Sequence, residues 1–161
     1  MSQEKFERRD KFLFTLEWLL AVTKRYSSGL QFGLAHIDYK TPRTLGETYG
    51  AQKAAQKLDE VSHSLHKAFR KTDLVVRDGT DFWILMPFAQ AEERLFDKIK
   101  YIIETASLSG LEIVERDISI FLLPNAAAEL DENSSALEFL AYLKNNHTVL
   151  ASRKISLPAK E

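Results

Sequence analysis

The sequence predicts one α/β (α+β) domain in which a single mixed central sheet of about five strands is flanked by helices. Three observations carry this. Segments with a helical apolar period alternate with short runs of strand-forming residues along the chain. Asp78-Gly79 separates two such runs and signals a tight hairpin. The 161 residues, 45% of them hydrophobic, suffice for one core and are cramped for two. One domain over residues 1–161 follows, with its core at about 6–152 and a tail at 153–161.

The first helix is expected from about Arg8 to Ser27, because Phe12, Leu16, Leu19, Leu20 and Thr23 share one face and Ser28-Gly29 ends it. A strand from Gln31 to Ile37 stops at Asp38. An irregular stretch with Pro42 and Gly46 precedes a strongly amphipathic helix from about Ala51 to Arg70, whose stripe is Ala54, Leu58, Val61, Leu65, Ala68 and Phe69. The hairpin strands are Leu74–Arg77 and Phe82–Met86, the second closed by Pro87. Leu95, Ile99, Ile102, Ile103 and Ala106 mark the next helix, ended by Ser109-Gly110. Strand signals return at Leu111–Val114 and Ile118–Leu123. After a loop at Ala126–Asn133 come a helix at Ser134–Asn145 and a last strand at Thr148–Ser152.

With 22 basic and 23 acidic residues the net charge is -1, which gives no general attraction to nucleic acid or to an anionic membrane. No nucleic-acid partner and no membrane insertion are expected. The chain has no cysteine, which excludes disulfides, thiolate metal sites and thiol nucleophiles and suits a reducing, cytoplasmic compartment. Phe12–Val22 follows basic residues as a signal-peptide core would. Glu17 interrupts it, no small-residue cleavage pattern follows, and the run is too short to cross a bilayer. Walker, GxGxxG, HExxH and nucleophile-elbow motifs are absent from the sequence.

Around the hairpin the pattern becomes specific. The stretch from Arg70 to Pro87, Arg70-Lys71-Thr72-Asp73 followed by Arg77-Asp78-Gly79-Thr80-Asp81-Phe82, resembles the GGDEF-family pattern R-x-x-D-l-v-a-R-y-G-G-D-E-F, one residue shorter. Upstream and without a gap, Leu58, Val61, Leu65 and Phe69 match the family's helix, Tyr49-Gly50 its y-G, and Asp38 the first Asp of D-i-D. Arg9-Asp10-Lys11-Phe12 with Leu16 is similar to N-R-x-x-F-x-x-x-L, and Ile118-Ser119-Ile120 to the later v-S-i-G strand. The resemblance covers about Phe6 to Ser152. It implies a palm-like nucleotidyl-cyclase architecture with a hairpin at the signature, and a place in bacterial signal transduction through cyclic di-GMP. In that family two GTP-loaded domains face each other to make cyclic di-GMP, with carboxylate-held metal, for which Mg²⁺ is the implied ion.

The chain departs from the pattern where that chemistry is done. The guanine-reading Asn and Asp correspond to Gly46 and Ala55, whose side chains cannot hydrogen-bond a base edge. Lys40 replaces the second Asp of D-i-D and sets a positive charge beside a metal position. Thr80 adds a Cβ in the signature turn, formed by Asp78, Gly79, Thr80, Asp81 and Phe82. Anchoring on Pro87 puts Thr80 in the catalytic acid's place, and anchoring on Arg77 puts Asp81 there. The family's L-T-G-L becomes Gln3-Glu4-Lys5-Phe6, and its K-x-x-G-R-N is not recognisable around Lys144-Asn145-Asn146-His147. The resemblance thus implies a degenerate domain without catalytic turnover, in which Asp38 and Asp81 are relics of the catalytic and metal-binding positions.

Arg70 and Asp73 match the family's R-x-x-D inhibitory site, where Arg pairs with bound cyclic di-GMP. The plain alternative is an Arg stabilising a helix C-terminus and an Asp opening a strand. Asp38 and Asp81 equally fit strand-end and turn residues, and His63 and His66, with Asp59, a solvated helix face. His36 reads as a core-edge histidine, and Trp18 and Trp83 as packing residues. Three functions stay open: a regulatory domain binding cyclic di-GMP, a protein-interaction or homodimerisation domain that binds no nucleotide, and a residual diguanylate cyclase.

Overall fold

A computed structural model describes residues 3–25, 32–40, 42–86, 92–106, 114–123 and 134–158. The expectations for Ser28-Gly29, Pro87, Ser109-Gly110, strand residues 111–113 and the loop at Ala126–Asn133 lie outside these residues. Five strands form one sheet in the order β2-β3-β1-β4-β5: β1 (Phe32–Tyr39), β2 (Leu74–Asp78), β3 (Asp81–Met86), β4 (Arg116–Leu123) and β5 (Arg153–Leu157). The sheet is antiparallel in every pairing rather than mixed. The helical crossover after β1 does deliver β2 parallel to it. The hairpin then returns β3 into the gap between them, so the two parallel strands never pair.

β1 is nearly continuous in burial because helices cover both sheet faces. Its alternate residues divide the molecule into two cores. Ala35, Ile37 and Tyr39 join the core under α2 (Pro42–Tyr49), α3 (Ala51–Ala68) and α4 (Glu92–Ala106). Phe32 and Leu34 join the core under α1 (Gln3–Arg25) and α5 (Ala136–Asn145). The α3 stripe buries Ala54, Leu58, Val61 and Leu65, as its period predicts. From α1, Phe12, Leu16 and Leu20 go inward, whereas Trp18, expected to pack, is 58% exposed on the opposite face.

Several local differences have local causes. Pro42 to Tyr49 is helical rather than irregular, with Pro at the first turn where its missing N–H costs nothing. Gly50, at φ +82°, separates α2 from α3 and returns its N–H to the Gly46 carbonyl at 2.8 Å. β1 runs past Asp38 to Tyr39 because β4 extends its pairing to Arg116. Thr148–Leu150, expected as strand, lies in a short turn of helix, α6 (His147–Leu150). The last strand is instead β5, in the segment expected to be a tail outside the core, and Leu157 is buried opposite Arg116.

The start of α5 is closed by Ser135 and Glu138 in a reciprocal capping box, with bonds of 3.2 and 3.1 Å. Glu17 of α1 adds a carboxylate that accepts from Ala136 N at 2.8 Å, tying the two helices together. Phe139 of α5 is fully buried in the core that both helices share. Phe139→Ala is expected to cost about 3–5 kcal/mol in urea unfolding; an unchanged midpoint would show that α5 is not part of this core.

Candidate functional site

Strand alternation carries β1 from apolar to polar along the face covered by α1 and α5: Phe32 and Leu34 give way to His36 and Asp38. Both neighbouring strands change in step. Asp38 stands opposite Asp81 of β3 on one side and Asp117 of β4 on the other, so three carboxylates line up across the sheet. The structure therefore places Asp81, not Thr80, across from Asp38. Thr80 sits in the two-residue hairpin loop, where its carbonyl accepts from Tyr39 N at 3.1 Å.

Each flanking carboxylate meets a cation. Asp81 accepts from Lys144 Nζ at 2.9 Å and lies 2.9 Å from His36 Nε2 through its other oxygen. His36 is buried and stacks on Trp83 with ring centroids 4.1 Å apart, which fixes the imidazole against the carboxylate. Asp117 pairs with Lys40 at 2.8 Å and accepts from Ser156 Oγ at 2.7 Å. Burial opposes ionisation of Asp81, yet the bonds to His36 and Lys144 outweigh it and hold its pKa below the usual carboxylate value. Asp117 is lowered in the same way, burial being offset by Lys40 and Ser156. Lys144 is raised, its desolvation outweighed by Asp81, and Lys40 is raised by its bond to Asp117. Asp38 goes the other way: burial, then repulsion from Asp81, pushes its carboxyl up.

The signature turn is held from behind. Gly79 adopts φ +64°, a region costly for residues with a Cβ, as the first residue of the loop between Asp78 and Asp81. Arg77 donates to the Gly79 carbonyl at 2.8 Å, to the Ala55 carbonyl at 3.3 Å and to Asp59 at 2.6 Å, which clamps the hairpin to α3. Phe82, the last signature residue, is buried in the opposite core, edge-on to Tyr39. A cleft of about 610 Å³ lies beside the turn, bordered by Arg8, Ala55, His66, Arg77 and Gly79. Gly46, on α2, faces open space, with no atom within 4 Å of where a Cβ would stand. No group of three or more His, Asp and Glu able to hold a metal gathers among the described residues. His63 is exposed, and His66 approaches Arg8 at 3.4 Å.

Arg70 and Asp73 lie apart from this centre, in the turn between α3 and β2. Asp73 N donates to the Arg70 carbonyl at 2.9 Å, and Arg70 N donates to the Asp73 carboxylate at 3.1 Å. The Arg70 side chain is exposed. A cleft of about 240 Å³ runs from this turn to α4 and is bordered by Arg70, Asp73, Met86, Arg94 and Lys98.

Lys144, Asp117 and the role of His36 escape a reading of the sequence. For His36 a signal existed: the period-two set His36, Asp38, Lys40 puts three ionisable groups on one side of a strand. For Lys144 and Asp117 none did, because they join the site through tertiary placement of α5 and β4.

No family model and no curated protein matches the chain. Among solved structures it is similar to the GGDEF domain of YfiN from Pseudomonas aeruginosa, with a TM-score of 0.61 at 16% identity over 88% of this chain and 87% of that one. It is equally similar to the GGDEF domain of DgcB from Caulobacter crescentus in complex with cyclic di-GMP, at TM-score 0.61 and 16% identity, covering 87% of this chain and 82% of that one. The diguanylate cyclase SiaD of P. aeruginosa, solved with its activator SiaC, gives TM-score 0.61 at 15% identity over 88% of this chain, which spans about half (52%) of SiaD. The chain has the fold of a GGDEF domain. No helix among the described residues is long and apolar enough to cross a membrane.

Two substitutions separate the carboxylates. Asp81 is favoured in its ionised form by the fold, so its contribution is present above the unfolded value of 3.8 and is lost as pH falls through its lower folded value. Asp81→Asn is expected to cost about 1.5–3 kcal/mol at pH 7 in urea unfolding, with the loss shrinking below about pH 4. Asp38 has the opposite sign: its charge disfavours the fold above its raised folded pKa and is gone below 3.8. Asp38→Asn should stabilise at pH 7 and become neutral in acid; destabilisation at pH 7 would mean that its charge is compensated.

Proposed function

We propose that the chain is a non-catalytic GGDEF-family regulatory domain that binds cyclic di-GMP at the Arg70–Asp73 turn. The observation that carries this reading is the exposed Arg70 beside Asp73, on a cleft that also holds Arg94 and Lys98. Three cations and a carboxylate around one opening suit a ligand with two phosphates and with base edges that both donate and accept hydrogen bonds. The turn is already braced by its two internal bonds, so little ordering entropy opposes binding. The DgcB domain of the same fold was solved with cyclic di-GMP.

The carboxylate row supports the absence of turnover. A cyclase of this family needs carboxylates free to hold a divalent metal, and here Asp81 is engaged by Lys144 and His36, with Lys40 on Asp117. A divalent ion would have to displace a tethered ammonium and face a second one, so Mg²⁺ does not fit this donor set. Gly46 and Ala55 offer guanine no side-chain hydrogen bond. A cytoplasmic location belongs to the same reading, since cyclic di-GMP is an intracellular signal.

Titration calorimetry should give measurable heat with cyclic di-GMP, and Arg70→Ala should weaken binding about 10- to 150-fold, the equivalent of losing one charge-assisted contact of about 1.5–3 kcal/mol. No heat from the unmodified chain would overturn nucleotide binding and favour the interaction-domain reading. Incubation with GTP and Mg²⁺ should yield no cyclic di-GMP, and product formation would overturn the non-catalytic assignment.

A further inference from the structure

The outer surface of α1 carries a regular pattern that faces solvent rather than either core. Glu7, Lys11, Phe14, Trp18, Ala21 and Arg25 follow one another at spacings of four, three, four, three and four, and every one is exposed. That is the a/d repeat of a helix–helix seam. It lies opposite the inward stripe of Phe12, Leu16 and Leu20 and therefore points away from the sheet. Its centre is aromatic, with Phe14 72% and Trp18 58% exposed. Leu137 of α5, also exposed at 47%, follows Ala136, whose N–H donates to Glu17 of α1.

We propose that this seam is a self-association surface on which a second copy of the chain docks antiparallel through α1. The charges decide both the occupant and the direction. The seam is acidic at one end, at Glu7, and basic at the other, at Arg25. A two-fold axis midway between Phe14 and Trp18 sets Phe14 against Trp18 of the second copy, Lys11 against Ala21 and Glu7 against Arg25, and each pairing occurs twice. An a position meets a d position in every layer, as antiparallel helix pairs require. A parallel pairing would instead set Glu7 on Glu7 and Arg25 on Arg25, which repel. The outcome has the layout of a specific interface, two aromatic pairs at the centre and ion pairs at the rim. Two helices meeting over about five turns bury near or below the about 1,200–2,000 Å² of standard stable interfaces, so the dimer is weak and concentration-dependent. The proposal is independent of nucleotide binding.

Sedimentation equilibrium of the full chain across a hundredfold concentration range tests it, with circular dichroism confirming the fold of each variant. The unmodified chain should pass from monomer to dimer, and Phe14→Ser with Trp18→Ser should remain monomeric. Glu7→Arg and Arg25→Glu should each weaken the dimer, and the double exchange should restore it, since only antiparallel docking pairs the two exchanged sites. A chain monomeric throughout, including one whose aromatic face serves a different partner, would overturn the proposal. So would a dimer insensitive to the serine substitutions, or one that the double exchange fails to restore.

Discussion

Three aspartates brought side by side on adjacent hydrogen-bonded strands form the constraint on which the rest of the site depends. Directly opposed residues in an antiparallel pair stand only about 4.5–5.5 Å apart at Cβ, where like charges repel. The register that puts Asp81, Asp38 and Asp117 in one row also fixes both sheet cores, so it cannot slip without turning every apolar residue of β1 to the wrong face. The fold therefore has to supply countercharge. It does so with Lys144 from the end of α5 and Lys40 from the residue after β1, while His36 from within β1 holds Asp81 through a hydrogen bond.

That solution shapes what the domain can do. Ionic partners fixed within the chain make the polar end of the sheet self-sufficient, and Asp38, between Asp81 and Asp117, has its pKa raised first by burial and then by repulsion from Asp81. The Arg77 clamp rigidifies the adjoining hairpin by joining the turn carbonyl, the Ala55 carbonyl and Asp59. The Arg70–Asp73 turn lies at the other end of the same hairpin strand, where polar side chains face a cleft. A fold with the architecture of GGDEF domains thus holds one polar centre closed by its own cations and a second polar cluster, at the Arg70–Asp73 turn, that borders an exposed cleft.

Much of the fold was legible because the signals were local. The 3.6-residue stripe of α3 and the Asp78-Gly79 turn are short-range physics, and both occur where they were expected. The direction of the sheet was not legible, since it depends on β3 returning between β1 and β2, which no local pattern encodes. β5 is not legible locally for a related reason: Arg153–Leu157 has weak alternation, and only pairing with β4 and burial of Leu157 make it a strand. At the site, Asp38 and Asp81 could be named from the sequence but their surroundings could not. Lys144 lies 63 positions from Asp81, in a stretch with no readable motif, and its role exists only once α5 caps that end of the sheet.

The state of the carboxylate row can be observed directly in the intact protein. Amide spectra of isotopically labelled chain, recorded during titration with Mn²⁺, report any divalent ion that reaches Asp38, Asp81 or Asp117 through selective broadening of their signals. If Lys144, Lys40 and His36 satisfy the row as the geometry indicates, those signals stay as sharp as the rest at millimolar Mn²⁺. Their selective loss at low Mn²⁺ would contradict the self-neutralised centre and return the domain to the metal-dependent class.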